Sequence, residues 1–247
     1  MTYTINLVIK IVIATAAAIL FGNGSVVAFN HFPPKWWEDN VQDGDTTRRV
    51  LPEKLVDSDN AGRQRLPSTP WKYIFTGLFM VAGIYLAVTG GIQFEIATLL
   101  MLAIVLEMAV SDQMYQIVPD QLQLLLAVSA LGFVSFHEQW WEPVAGAGVG
   151  LAVGLGVFGL GALIFHKASI GGADIKFYTV IGLIAGRRGV LIIFVLTTLF
   201  FAIVSVFRLA TKRAQIKDYA AMMPPAFVAV MIYMLFLYNS GEIWLTF

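Results

Sequence analysis

The chain of 247 residues contains no cysteine. Disulfides, thiolate catalysis and cysteine-held zinc are therefore excluded, while the redox compartment stays open. Charge is scarce too: 13% of residues are charged and 58% are hydrophobic, against roughly 25% charged in an ordinary soluble domain. The formal net charge is zero, so nothing points to a nucleic-acid partner. The three histidines, His31, His137 and His166, are scattered without metal-ligand spacing, and no metal site is expected. There is no fixed-period repeat and no low-complexity tract. So much apolar surface cannot be hidden in one soluble core, and the solvent of this chain must be largely lipid.

What is present is a series of long apolar segments. A spanning helix needs about 20 mostly apolar residues, with some tolerance for tilt. The first candidate runs from Ile5 to Phe29. Its Lys10 and its Ala-Thr-Ala-Ala-Ala stretch also fit a signal peptide, but the apolar run outlasts a short signal core and reads as a retained helix. Residues 30–70 differ in kind. They hold six Lys/Arg, seven Asp/Glu and five prolines, with Trp36-Trp37 expected as an interfacial anchor. Apolar segments follow at 71–90, 92–111, 117–136, 144–166, 174–186, 188–208 and 222–243, separated by glycine-rich or polar breaks. The sequence thus predicts an all-α polytopic membrane protein of about eight transmembrane helices. Its divisions are a first helix (1–29), a polar cytoplasmic loop or small subdomain (30–70) and a membrane core (71–247).

Basic residues orient the chain. Thirteen of the sixteen Lys and Arg fall on the side that includes the 30–70 loop; only Lys10, Arg187 and Arg188 fall on the other. The positive-inside rule makes the first side cytoplasmic and puts both termini outside.

Carboxylates at membrane depth are costly and by default mark a functional site. Glu95, Glu107, Asp112, Asp120 and Asp174 lie in or beside apolar segments. By the orientation above, the third segment runs inward and ends at Asp112, and the sixth starts inside near Asp174. Both aspartates then sit at the cytoplasmic ends of their helices, at similar depth, whereas Glu95 falls near the outer face. Two crowded carboxylates share one proton and titrate as a unit. The ionised partner can activate water against a scissile carbonyl, and the protonated one can polarise that carbonyl and protonate the leaving amine, as in aspartic proteases. A structural polar contact and an ion-translocating carboxylate remain the alternatives on spacing alone.

Local context bears on each acid. Asp174 follows Gly171, Gly172 and Ala173, three small residues past which a substrate backbone could approach closely; the same stretch is also a turn with Asp174 as helix N-cap. Lys176 is read as a snorkelling lysine. After Asp112, Pro119 favours an extended residue before it and separates the third segment from the fourth. Asp120 with Gln123 resembles a capping box, which makes Asp120 structural. Glu107 lies one turn before Ser111, where polar contact between helices is its expected role.

Together these residues resemble the type IV prepilin peptidases, membrane aspartyl proteases that remove the leaders of pilins and pseudopilins. In that family an Asp is followed eight positions later by the Asp of an apolar-Pro-Asp triplet, as Asp112 is here by Val118-Pro119-Asp120. A Gly-x-Gly-Asp-x-Lys motif opens a later helix, and Gly171 to Lys176 is similar to it. Met222-Met223-Pro224-Pro225-Ala226-Phe227 looks like the Pro-containing opening of the family's last helix. The resemblance implies that Asp112 and Asp174 are the catalytic pair, with Gly171, Gly172, Ala173, Lys176, Pro119 and Asp120 in support. It also implies prepilin or pseudopilin substrates and a bacterial or archaeal cytoplasmic membrane. Three departures stand out. Ala173 replaces a glycine, and Gly24-Ser25 and Pro33-Pro34 only partly match the N-terminal Gly-Ser…Arg-x-Pro stretch. Many full-length members also carry four cysteines in the first cytoplasmic loop and N-methylate the trimmed pilin with S-adenosylmethionine; this loop has none. Peptide cleavage needs no cofactor, and S-adenosylmethionine enters only if a methyltransferase activity is present.

The rivals are a presenilin-like peptidase, which pairs a similar Gly-x-Gly-Asp site with a Tyr-Asp dipeptide absent here, a proton- or ion-coupled transporter, and a membrane assembly scaffold. Transporters often show related halves, and none are visible.

Overall fold

A computed structural model describes residues 2–43, 46–50, 66–165, 171–211 and 220–238. The order of elements is α1 (Thr2–Ala17), a π-helical turn (Ala18–Asn23), α2 (Gly24–His31), a 3-10 turn (Pro34–Trp37), β1 (Asp39–Asp43), β2 (Thr46–Val50), α3 (Trp71–Thr89), α4 (Ile92–Tyr115), α5 (Asp120–Ser129) continued by a 3-10 helix (Ala130–Phe136), α6 (Glu142–Phe165), α7 (Gly172–Ala210) and α8 (Met223–Ile232) continued by a π-helix (Tyr233–Leu237). Among the described residues the regular structure is all helical apart from β1 and β2, an antiparallel pair inside the polar 30–70 region. Among the described residues, five helices are long and apolar enough to cross a membrane: Ile5–His31, Trp71–Thr89, Ile92–Tyr115, Glu142–Gly159 and Gly172–Ala210. Two shorter apolar helices cover Asp120–Phe136 and Met223–Leu237.

The chain divides into two units, Met1–Leu122 and Gln123–Phe247. In the first, α1 and α3 pack antiparallel because small residues let the backbones meet. Gly22 lies against the Thr76 backbone and Gly83 against Ala14, and at the far end the Lys10 ammonium donates to the Gly90 carbonyl at 2.6 Å. Ser25 hydrogen-bonds the Glu107 carboxyl of α4. At the same end of the unit the base of the polar region is closed by Asn30, whose side chain donates to Leu66 O at 2.9 Å and accepts from Leu66 N at 2.7 Å.

The second unit is built on a glycine seam. Gly146, Gly150 and Gly154 of α6 recur every four residues, so they share one face. They meet Gly182 and Gly186, Tyr178 and Ile175 of α7 in descending order, which makes the helices antiparallel. Lipid tails are as apolar as leucine, so close backbone packing between small residues is what holds such helices together.

At 39 residues α7 would be about 58 Å long if straight, nearly twice the hydrocarbon thickness. It is not straight. Gly186 has φ 71° and ψ −177°, a conformation essentially reserved for glycine. The rings of Tyr178 and Phe194, eight positions either side of Gly186, have centroids 5.4 Å apart, so the two arms fold back on each other as a hairpin. This break lies where the sequence separates segments 174–186 and 188–208. At the turn the Arg187 guanidinium sits 4.6 Å from the Trp141 ring centroid, a cation–π contact that accommodates one of the two arginines opposing the charge rule.

The first expected segment is one helix, Ile5–His31, with a π turn at Ala18–Asn23 inside it. Other expectations are corrected. Residues 117–119 are not helical, and the fourth segment begins at Asp120 and tightens into 3-10 geometry at Ala130. Trp37 is no interfacial anchor, since it is 0% exposed. The 167–170 and 212–218 stretches of the expected cytoplasmic breaks, and the 239–243 end of the last segment, lie outside the described residues.

Candidate active site

Asp112 belongs to the first unit and occupies the last turn of α4, where it is 9% exposed. The helix ends at Gln116, which adopts the left-handed conformation (φ 57°, ψ 28°) and donates its N–H to the Asp112 carbonyl at 2.9 Å. This is the local stop that places an acid at a helix end. The neighbouring Ser111 is fully buried. Its hydroxyl accepts from the Trp37 indole N–H at 2.6 Å and donates to the Ile117 carbonyl at 2.6 Å, tying the last turn to the strand-like run into Pro119. Ser111 is thus not the partner of Glu107, whose carboxyl is engaged by Ser25 instead.

Asp174 belongs to the second unit and occupies the first turn of α7, three residues after the N-cap. The N-cap is Gly171, not Asp174. The Asp174 carboxylate reaches back to accept from Gly171 N at 3.2 Å, while Asp174 N donates to Gly171 O at 3.1 Å. That pair orients one carboxylate oxygen. A side chain at Gly172 would meet nothing within 4 Å, and one at Gly171 would meet only Asp174 Oδ2 at 3.7 Å. Among the described residues, the space beside the acid at both glycines is open. Lys176 is exposed.

A residue whose part the sequence does not reveal supports this turn. Gln123 is 5% exposed and donates its side-chain amide to Ala173 O at 2.9 Å. In a capping box its Oε1 would accept from the start of α5, but that oxygen is buried without a hydrogen-bond partner. The expected Asp120–Gln123 box is therefore not formed. Asp120 is exposed and is the first helical residue of α5, following Pro119.

Glu95 is fully buried on α4 and its carboxyl oxygens have no hydrogen-bond partner. It lies seventeen positions before Asp112, about 25 Å along the helix, so it does not join that acid.

Each acid thus ends or begins a helix in a preformed backbone setting, with open space beside Asp174, and the spacing of both motifs can be compared with known proteins. Residues 97–206 match the type IV leader peptidase family. The matched leader-peptidase span contains Asp112, Pro119, Asp120 and the whole stretch Gly171 to Lys176, and it runs through the Gly186 hairpin. It supports a leader-peptidase-like protease, and the apolar helices fit a membrane protein. No curated protein and no solved structure matches the chain.

Proposed function

We propose that this protein is a membrane aspartic endopeptidase that removes the leader from type IV prepilins or pseudopilins at the cytoplasmic face. Asp112 and Asp174 form the catalytic dyad, one ionised to activate water and the other protonated to polarise the scissile carbonyl and then protonate the amine. The observation that carries this reading is the family match across both aspartate motifs. It is supported by the placement of Asp112 in the last turn of an apolar helix and of Asp174 in the first turn of another. The chain crosses the bilayer eight times with both termini outside. A short basic leader enters from the cytoplasm while the apolar helix of the substrate stays in the bilayer and reaches the site laterally. The exposed Gly171-Gly172 edge admits the extended backbone around the scissile bond.

Two carboxylates supply acid and base, so cleavage requires no metal, and chelation is expected to leave it unchanged. Methylation is a separate question, because the 30–70 loop lacks the cysteines found in the methylating members; incubating the trimmed product with labelled S-adenosylmethionine decides it. The direct test is co-expression with a candidate prepilin, with leader loss read as a mobility shift on a gel. An unshifted prepilin in the presence of accumulated protein counts against the assignment.

A further inference from the structure

Two polar ties join the N-terminal segment to one face of α4. Ser25 engages Glu107, and one turn further on Trp37 engages Ser111. The second tie lies immediately before Asp112. Around it, the Tyr115 ring lies parallel to Phe29 (6.2 Å between centroids, planes 6° apart) and 5.3 Å from Trp37. The final turn of the Asp112 helix is therefore held on one side by an aromatic cluster and pinned by a two-bond relay: Trp37 N–H to Ser111 Oγ, which is buried, and Ser111 O–H to Ile117 O, which is partly buried.

We infer that Trp37 and Ser111 are positioning residues for Asp112, fixing the helix end and the following run into Pro119 so that the carboxyl is presented in one orientation. The inference rests on the proposed peptidase reading. The physical reason is that α4 ends in a left-handed residue followed by a short non-helical connection, and such an end frays unless its polar groups are engaged. Placement errors of about 1 Å at a reacting group can cost roughly a hundredfold in rate. In this scheme Trp37 acts through its hydrogen bond to Ser111.

The test is steady-state cleavage of a detergent-solubilised prepilin by Trp37→Phe, Ser111→Ala and the double variant. Trp37→Phe keeps an aromatic ring and removes the indole N–H; Ser111→Ala removes the relay. Each single variant is expected to lower kcat about tenfold to a hundredfold with KM within about twofold, and the double to be no slower than the slower single, since all three break one unit. Trp36→Phe, the same change one residue earlier, is expected to leave kcat unchanged. The inference is overturned by single variants with wild-type kcat, by a loss confined to KM, by multiplicative losses in the double, or by an equal loss in Trp36→Phe. If Ser111→Ala does not accumulate in the membrane, Trp37→Phe against Trp36→Phe decides alone. Asp112→Asn run alongside separates the two levels. Cleavage by Asp112→Asn removes the peptidase reading itself, whereas an inactive Asp112→Asn with fully active Trp37→Phe and Ser111→Ala removes only the positioning role.

Discussion

Gln123 donates to the Ala173 carbonyl across fifty positions of sequence, at 2.9 Å. Gln123 therefore holds the residue just before Asp174. A neutral hydrogen bond of this kind contributes about 1 kcal/mol. Gln123→Leu, which keeps the bulk and loses the donor, is expected to lower kcat roughly fivefold to tenfold. Gln123→Glu, which cannot donate when ionised, should do no better. Wild-type kcat in Gln123→Leu would show that the bond is incidental to the site.

The dyad itself is tested by near-isosteric exchange. Asp112→Asn and Asp174→Asn should each lower cleavage at least about a thousandfold while the protein still accumulates in the membrane, and the double variant should be no worse than either. The pH–rate profile of the native protein should show two limbs that belong to the pair and not to a single residue. Asp120→Asn should stay within about threefold of wild type, because Asp120 is exposed at the helix start and Asn serves there about as well. Loss of activity in Asp120→Asn alone would move the first catalytic acid eight residues along.

The glycine seam predicts a contrast within one helix. A Cβ at Gly150 would fall on the Tyr178 carbonyl, a backbone atom that cannot swing aside, whereas one at Gly148 would meet nothing within 4 Å. Gly150→Ala is expected to cost about 1–3 kcal/mol, a fall of roughly 3–10 °C in apparent Tm for a chain of this size. Gly148→Ala should be neutral or slightly stabilising. Thermal melts in detergent by size exclusion read both, and equal behaviour of the two variants would remove the seam as the source of stability.

Orientation is accessible to chemistry because the native chain has no cysteine. A cysteine at Ser58 should resist a membrane-impermeant thiol reagent in intact cells, and one at the exposed Gln139 should react. The opposite pattern would invert the topology and place both aspartates on the outer face.

The class of solvent, the approximate ends of the apolar segments and the two aspartate motifs are legible in the sequence because they depend on composition and short-range spacing. The break before Arg187 is of this kind: Gly186 and Gly189 flank two arginines in an apolar run, and the hairpin follows locally from that. Other features could be decided only by the tertiary structure. Whether Trp37 faces lipid or protein, whether Gln123 caps its own helix or reaches Ala173, and whether Glu107 meets Ser111 or Ser25 all turn on which helix faces lie opposite one another. Hydropathy sums over about 20 residues and does not register that choice. The bonds that support Asp112 and Asp174 span 74 and 50 positions. Such partners become neighbours only after the helices have packed, and a side chain takes the partner within reach over the one its sequence motif suggests.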